Sequence, residues 1–216
     1  MKILSAAQRV YAEHGFRGAT TRRIAEMAGV NEVTLFRIFG GKDALLEEAV
    51  RPNATRREVA VLTSEPVDPE AELTAWVTAQ LEFLRERRSL IRKAMSEIEE
   101  RPQFLACIRE GPECAHQALS DYLATLAERG WVEHPSELGA AIAMLMGAVF
   151  GDAMGREMIP ENYPSPIEAA PRAYARLFLR AIGVRQPASP RHATNGRKSA
   201  AADGHRTTNR SGTSPR

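Results

Sequence analysis

Cysteine is nearly missing from this chain. Cys107 and Cys114 are its only two, too few for the disulfide framework of a small secreted domain. No charged-then-apolar leader pattern opens the sequence, so a reduced, cytoplasmic protein is expected. Aromatic residues make up only 6% and long β-branched runs are absent, which favours helices over sheets. The longest apolar stretch, Leu138 to Gly151, stops at Asp152, short of the ~20 residues of a bilayer span. No membrane helix is expected. Nucleophile-elbow, HExxH, CxxC and dinucleotide glycine motifs are all lacking, so neither an enzyme nor a cofactor is expected. Cys107, Cys114 and His116 lie close together but without a fourth ligand nearby. On a continuous helix the two cysteines would sit ~10 Å apart, and no metal site is expected.

What is present is alanine, leucine, glutamate and arginine in helical periodicity. The 216 residues suffice for one large or two smaller domains. A net charge of +2 conceals a division: residues 1–42 carry seven Lys/Arg against three Glu, residues 59–184 twelve against nineteen Asp/Glu, and residues 185–216 seven against one. Basic ends around an acidic middle suggest a polyanion contact at the N-terminal end. Residues 187–216 contain no Leu, Ile, Val, Phe, Tyr or Trp and are expected to be a disordered basic tail.

From residue 1 to 184 the pattern predicts helices almost throughout. Ile3, Leu4, Ala7, Val10 and Tyr11 share one face of a first helix, ended by Gly15 with Phe16 folding back. Thr20 caps a short second helix, Thr21 to Ala28, with Ile24 and Met27/Ala28 inward; Gly29 stops it, and Asn31 caps a third reaching Phe39. A fourth is expected from Gly41 toward Glu65, bent at Pro52. Asp68-Pro69 opens another to Glu86, Ser89 to Glu99 makes the next, and Pro102 to Arg129 follows, bent or broken at Gly111-Pro112. Pro135 to Met158 is the penultimate helix, and Ser165-Pro166-Ile167-Glu168 reads as a capping box for the last.

The short helix, glycine turn and second short helix at residues 20–39 match a helix-turn-helix, whose second helix enters the major groove. At about 100° per residue, Leu35, Ile38 and Phe39 share one direction and form a core face. Val33 and Arg37 then point away, with Thr34 and Phe36 on the flanks and Glu32 in the first turn. Arg37 can pair with guanine or phosphate, Thr34 with either, and Glu32 with cytosine N4, while Val33 and Phe36 can pack on a thymine methyl. Thr21 and Arg22 lie where a helix N-terminus would hold a phosphate, and Lys42 repeats that arrangement. Three short basic helices would equally suit an ordinary subdomain, with Phe36 as a second-layer core residue. Gly40-Gly41-Lys42 is not a phosphate loop, since Phe36 and Asp43 occupy positions needing Gly and Ser or Thr.

The run GFRGATTRRIAEMAGVNEVTLFRIFGGKDALL resembles the DNA-binding domain of the TetR family of bacterial transcriptional regulators. The resemblance rests on Gly15-Phe16, Thr20-Thr21, Ile24-Ala25, Ala28-Gly29-Val30, Thr34-Leu35-Phe36, Phe39, Lys42 and Leu45. It implies an all-α protein: a three-helix helix-turn-helix domain at 1–47, a larger helical ligand-binding and dimerisation domain at 48–184, and the tail at 185–216. It also implies a homodimer reading a pseudo-palindromic operator in double-stranded DNA, with positions matching Thr21, Arg22, Thr34, Phe36, Arg37 and Lys42 touching it. With the caps Thr20 and Asn31, and with Glu32 and Val33, these complete the expected DNA site. Phe36 replaces the commoner Tyr, Val33 a usually small residue, and Gly41 a frequent Ser or Thr cap.

In the larger part, Gly147, Gly151 and Gly155 form a smooth helical strip. Glycine inside a helix costs roughly 1 kcal/mol, so a packing reason is expected. With Tyr174, Leu177, Phe178 and Ala181 of the last helix, the resemblance makes this strip a dimer interface, the alternative being packing within one chain. Trp76, Phe83, Met95, Phe104, Ile108, His116, Tyr122, Met146 and Phe150 are available to line an apolar effector pocket. The expected function is a repressor released by a small, largely apolar effector. The alternatives are an activator or ligand-independent regulator and, from another class, a helical enzyme with an incidental basic end.

Overall fold

The computed structural model describes residues 2–51 and 62–184, and among them every regular element is helical. The first four helices are α1 (Lys2–Gly18), α2 (Thr21–Ala28), α3 (Glu32–Phe39) and α4 (Lys42–Val50). After residues 52–61 come α5 (Pro69–Glu86), α6 (Arg88–Ser96), α7 (Gln103–Glu128), α8 (Leu138–Gly155) and α9 (Ala170–Ala181). Three single 3-10 turns, Pro135–Glu137, Pro160–Asn162 and Ile167–Ala169, lead into or out of α8 and α9.

Local chemistry sets most boundaries. The Thr20 hydroxyl accepts from the Arg23 amide, and Gly29 closes α2 in the left-handed region. Asn31 accepts from the Val33 amide at 2.9 Å to open α3. Asp68 accepts from the Ala71 amide, with Pro69 in the first turn of α5, where its missing N–H costs nothing. Gly15 (φ 65°) breaks the helical backbone of α1 where expected, with Phe16 buried just beyond it and a further helical turn to Gly18. Other expectations fail. α4 ends at Val50, so the expected run past Pro52 falls outside the described residues. Pro112 sits inside α7 without ending it. The capping box at Ser165 does not form: Pro166 is extended, a 3-10 turn intervenes, and α9 begins at Ala170 without a side-chain cap.

Two apolar cores result. The first gathers Ala6, Ala7, Val10, Tyr11 and Phe16 of α1, Ile24, Leu35, Leu45 and Leu46, and also Leu90 and Ala94 of α6 with Phe104 and Cys107 of α7. The second gathers Leu73, Trp76, Val77 and Leu81 of α5, Leu119, Tyr122 and Leu123 of α7, Ile142, Leu145 and Val149 of α8, and Phe178 and Leu179 of α9. α6 therefore packs against α1 and α4 on one side and α8 on the other. Within the 21 residues Pro135–Gly155 an 18-residue window has a mean hydropathy of 1.6 with a third of it buried, long and apolar enough by length and composition to cross a membrane. That exceeds the stretch expected from the sequence, because the 3-10 turn and the residues from Asp152 to Gly155 extend the helical run.

Candidate nucleic-acid interface

α3 is seated by one fully buried residue, Leu35, and by half-buried Phe39. Ile38, expected on the same core face, is instead 54% exposed. An eight-residue helix crossing the domain presents a stripe too narrow for three neighbouring directions, and Ile38 lies about 100° from Phe39. Met27 also turns outward, at 43%. The outer arc of α3 is thus Phe36, Val33, Arg37, Thr34 and Ile38, with Val33 71% and Phe36 49% exposed. Phe36 faces outward rather than into a second core layer. Arg37 is exposed and makes no ion pair among the described residues.

Other expected contact residues are engaged within the domain. The Thr21 hydroxyl donates to the Glu32 carboxylate at 2.5 Å, tying the start of α2 to the start of α3. Arg22 pairs with Glu26 one turn on, at 3.0 Å and largely exposed. Such a surface pair is worth at most ~1 kcal/mol and can yield to a phosphate. Thr20 and Asn31 serve as caps. The Lys42 ammonium lies 4.2 Å from the Phe16 ring centroid, and the Arg101 guanidinium covers the same ring at 3.1 Å. Burial, and then the nearby Arg101 charge, hold the Lys42 pKa below its ordinary value.

Behind Phe16 lies a joint that the sequence did not disclose. Glu97, at the end of α6, accepts the Tyr11 hydroxyl at 2.9 Å and the Phe16 amide at 3.2 Å. A Cβ at Gly15 would meet the Glu97 carboxylate at 2.5 Å, so glycine serves both the left-handed backbone and this close approach. Burial, then the hydrogen bond to Glu97, push the Tyr11 hydroxyl pKa up.

The expected effector residues separate. Ile108, His116 and Met146 meet in a groove of about 500 Å³ between α7 and α8, open to solvent and completed by Arg109, Pro112, Glu113, Gln117 and Ala143. Trp76 and Tyr122 are packed in the second core, with the Tyr122 hydroxyl donating to Glu72 at 2.6 Å. Phe104 is fully buried in the first core, edge-on to Tyr11 at 5.8 Å. It joins the two halves of the molecule instead of lining a cavity. Phe83 lies under the Arg87 guanidinium, Phe150 is half-buried, and Met95 is exposed on α6; none of the three borders the groove.

The glycine strip divides as well. At Gly155 a Cβ would collide with Tyr163 of the same chain, and at Gly151 it would touch the Tyr163 hydroxyl at 3.8 Å. Packing within the chain therefore explains Gly155. Gly147 has nothing against it among the described residues, one turn from Met144, which is 74% exposed, while Leu177 of α9 is 59% exposed. Ala181 is exposed, whereas Phe178 is buried in the second core. Tyr174 is half-buried and donates to Asp152 at 2.9 Å.

In the sequence Asp152 marks only the end of an apolar run, although a lone carboxylate in an apolar helix is a signal that partners exist. It is fully buried, accepting from Arg85 at 2.9 Å, from Arg156 through two nitrogens, and from Tyr174. Burial pushes its pKa up, but the bonds from Arg156, Arg85 and Tyr174 outweigh it and hold the group below the ordinary carboxylate value.

Residues 3–49 match the family model described as bacterial regulatory proteins, tetR family. Over 184 residues the chain is 31% identical to the uncharacterized HTH-type transcriptional regulator YvkB of Bacillus subtilis, covering 85% of this chain and 96% of that protein. It is 28% identical over 135 residues to the HTH-type transcriptional repressor AcnR of Corynebacterium efficiens, covering 60% of this chain and 66% of the relative. In fold it is similar to a transcriptional regulator from Rhodococcus sp. (TM-score 0.65, 23% identity, 85% and 97% of the two chains). It is also similar to the TetR-family regulator PfmR of Thermus thermophilus (TM-score 0.59, 19% identity, 82% and 97%). An amino-terminal helix-turn-helix that fits the family model, continued by a helical body alignable with a regulator along nearly its whole length, has one assignment: the chain belongs to the TetR family of bacterial regulatory proteins.

Proposed function

We propose that this protein is a homodimeric transcriptional repressor whose α3 enters the DNA major groove and which a small, largely apolar effector releases from its operator. Residues 1–47 read DNA, while residues 48–184 dimerise and hold the effector. The observation that carries this reading is the outer arc of α3. Arg37, Val33, Phe36 and Ile38 stand exposed on one short helix, and Arg22 and Lys42 are assigned to flanking phosphates, which draw Arg22 from Glu26 and Lys42 from the Phe16 ring. Thr34 lies at the edge of that arc. The relatives called repressors favour repression over activation.

Dimerisation uses the open part of α8 around Gly147, together with Leu177 and Ala181 of α9. Two copies would then set their α3 helices in successive major grooves, ~34 Å apart. The α7–α8 groove, lined by Ile108, His116 and Met146, is the effector site, and an occupant shifts the dimer between spacings that do and do not match the operator. A gel shift with DNA from upstream of the protein's own gene, at two salt concentrations, tests the reading. Binding that weakens steeply with salt is expected; absence of binding, or salt-independent binding, would overturn it.

A further inference from the structure

We propose that α3 reads a pyrimidine C5-methyl group beside a guanine, with Val33 packed on the methyl of a thymine and Arg37 on the guanine one or two base pairs away. The inference rests on the DNA-binding function above and specifies the sequence such a site recognises.

The reason lies in what remains free on the outer face of α3. Asn31 is engaged as the cap at 2.9 Å, and Glu32 receives the Thr21 hydroxyl at 2.5 Å. Thr34 is half-buried. Arg37 is then the one long polar side chain on the arc without a partner among the described residues. Around it stand Val33, Phe36 and Ile38, 71%, 49% and 54% exposed. Single exposed apolar residues are ordinary, but three on an eight-residue helix beside an unpaired arginine form a patch with a purpose.

Helix geometry assigns the positions. Val33 and Arg37 are four residues apart, which places them about 40° apart in direction and about 6 Å along the axis. On a helix lying in the major groove, side chains about one turn apart meet base pairs one or two steps apart. Phe36 and Ile38 flank Arg37 by about 100° on either side, where they meet the groove walls while Val33 and Arg37 face its floor. On the major-groove edges the thymine methyl is the apolar group a valine can cover, and guanine O6 and N7 are the acceptors a guanidinium fits. The occupant is duplex DNA rather than a protein. Residues 1–42 carry seven cations against three carboxylates.

The full-length protein is used to select an operator from a random duplex pool, and each thymine is then replaced by deoxyuridine, which removes only the methyl. One thymine within two base pairs of a guanine should lose about fourfold in affinity, the worth of one buried methyl group. In Val33→Ala that uracil penalty should vanish. Replacing the same T·A pair by 5-methylcytosine·guanine or by cytosine·guanine separates the methyl from the base pair, and the methylated form should bind more tightly. Equal binding of thymine and uracil operators by the wild type, or a full penalty retained in Val33→Ala, would overturn the inference while leaving DNA binding intact. Failure to select any salt-sensitive site would remove both.

Discussion

Arg37 and Asp152 show how differently a charge is used at the surface and in the interior. Arg37 is exposed and has no ion-pair partner among the described residues, so its worth lies in binding. Arg37→Ala should cost on the order of 1–3 kcal/mol and relax specificity at one operator position, as measured by affinities across single-base operator variants. Equal loss on every variant would make it a phosphate contact. Asp152 is wholly buried between Arg85, Arg156 and Tyr174. Removing its charge strands two guanidiniums, and such breaks typically cost about 3–5 kcal/mol. Asp152→Asn should therefore lower the urea midpoint sharply. The pH dependence has a definite sign. The folded pKa lies below the ordinary value, so this stabilisation is complete above ~pH 4 and is lost as pH falls through the folded pKa. The stability gap between wild type and Asp152→Asn should narrow in acid. Thr20, Asn31 and Leu35 were legible in the sequence because caps and a central core position depend on neighbours a few residues away. The Thr21–Glu32 bond and the outward turn of Ile38 depend on how two helices meet.

At the scale of elements, glycines in one helix have opposite roles. Gly155 is sealed by Tyr163 of the same chain, while Gly147 has nothing within 4 Å among the described residues. Gly155→Leu should therefore lower the melting temperature, because a side chain there collides with Tyr163. Gly147→Leu should leave the melting transition of the monomer fold in place and abolish the dimer, as read by light scattering after size exclusion. A dimer persisting in Gly147→Leu would rule out the α8 contact. The strip was visible in the sequence as a periodicity, but its division was not, since Tyr163 arrives from the segment after α8. Helix boundaries followed the same rule. Asp68-Pro69 opens α5 as its local chemistry dictates. Ser165 does not open α9, because the extended Pro166 and the turn at Ile167–Ala169 intervene.

Across the whole molecule, α6 and the start of α7 hold the DNA-reading helices to the rest. Glu97 grips the Gly15–Phe16 kink, and Phe104 fills the first core between Tyr11 and Phe16. Arg88 and Arg92 donate to the carbonyls of Ala153 and Met154 at the end of α8, where cations also meet the negative helix end. The two cores should consequently unfold together. Trp76 and Trp131 both belong to the second core's surroundings, and they are the chain's only tryptophans, so their fluorescence reports that core alone while far-ultraviolet circular dichroism reports all helices. In the wild type the two thermal transitions should coincide, the signature of one cooperative unit. Phe104→Ala removes a fully buried ring, a change that typically costs 3–5 kcal/mol, and it weakens the first core and the joint rather than the second. Circular dichroism should then begin to fall before tryptophan fluorescence changes. Coincident transitions in Phe104→Ala would mean that the coupling runs mainly through the arginines on α8, and Arg88→Ala with Arg92→Ala should then be the variant that separates them.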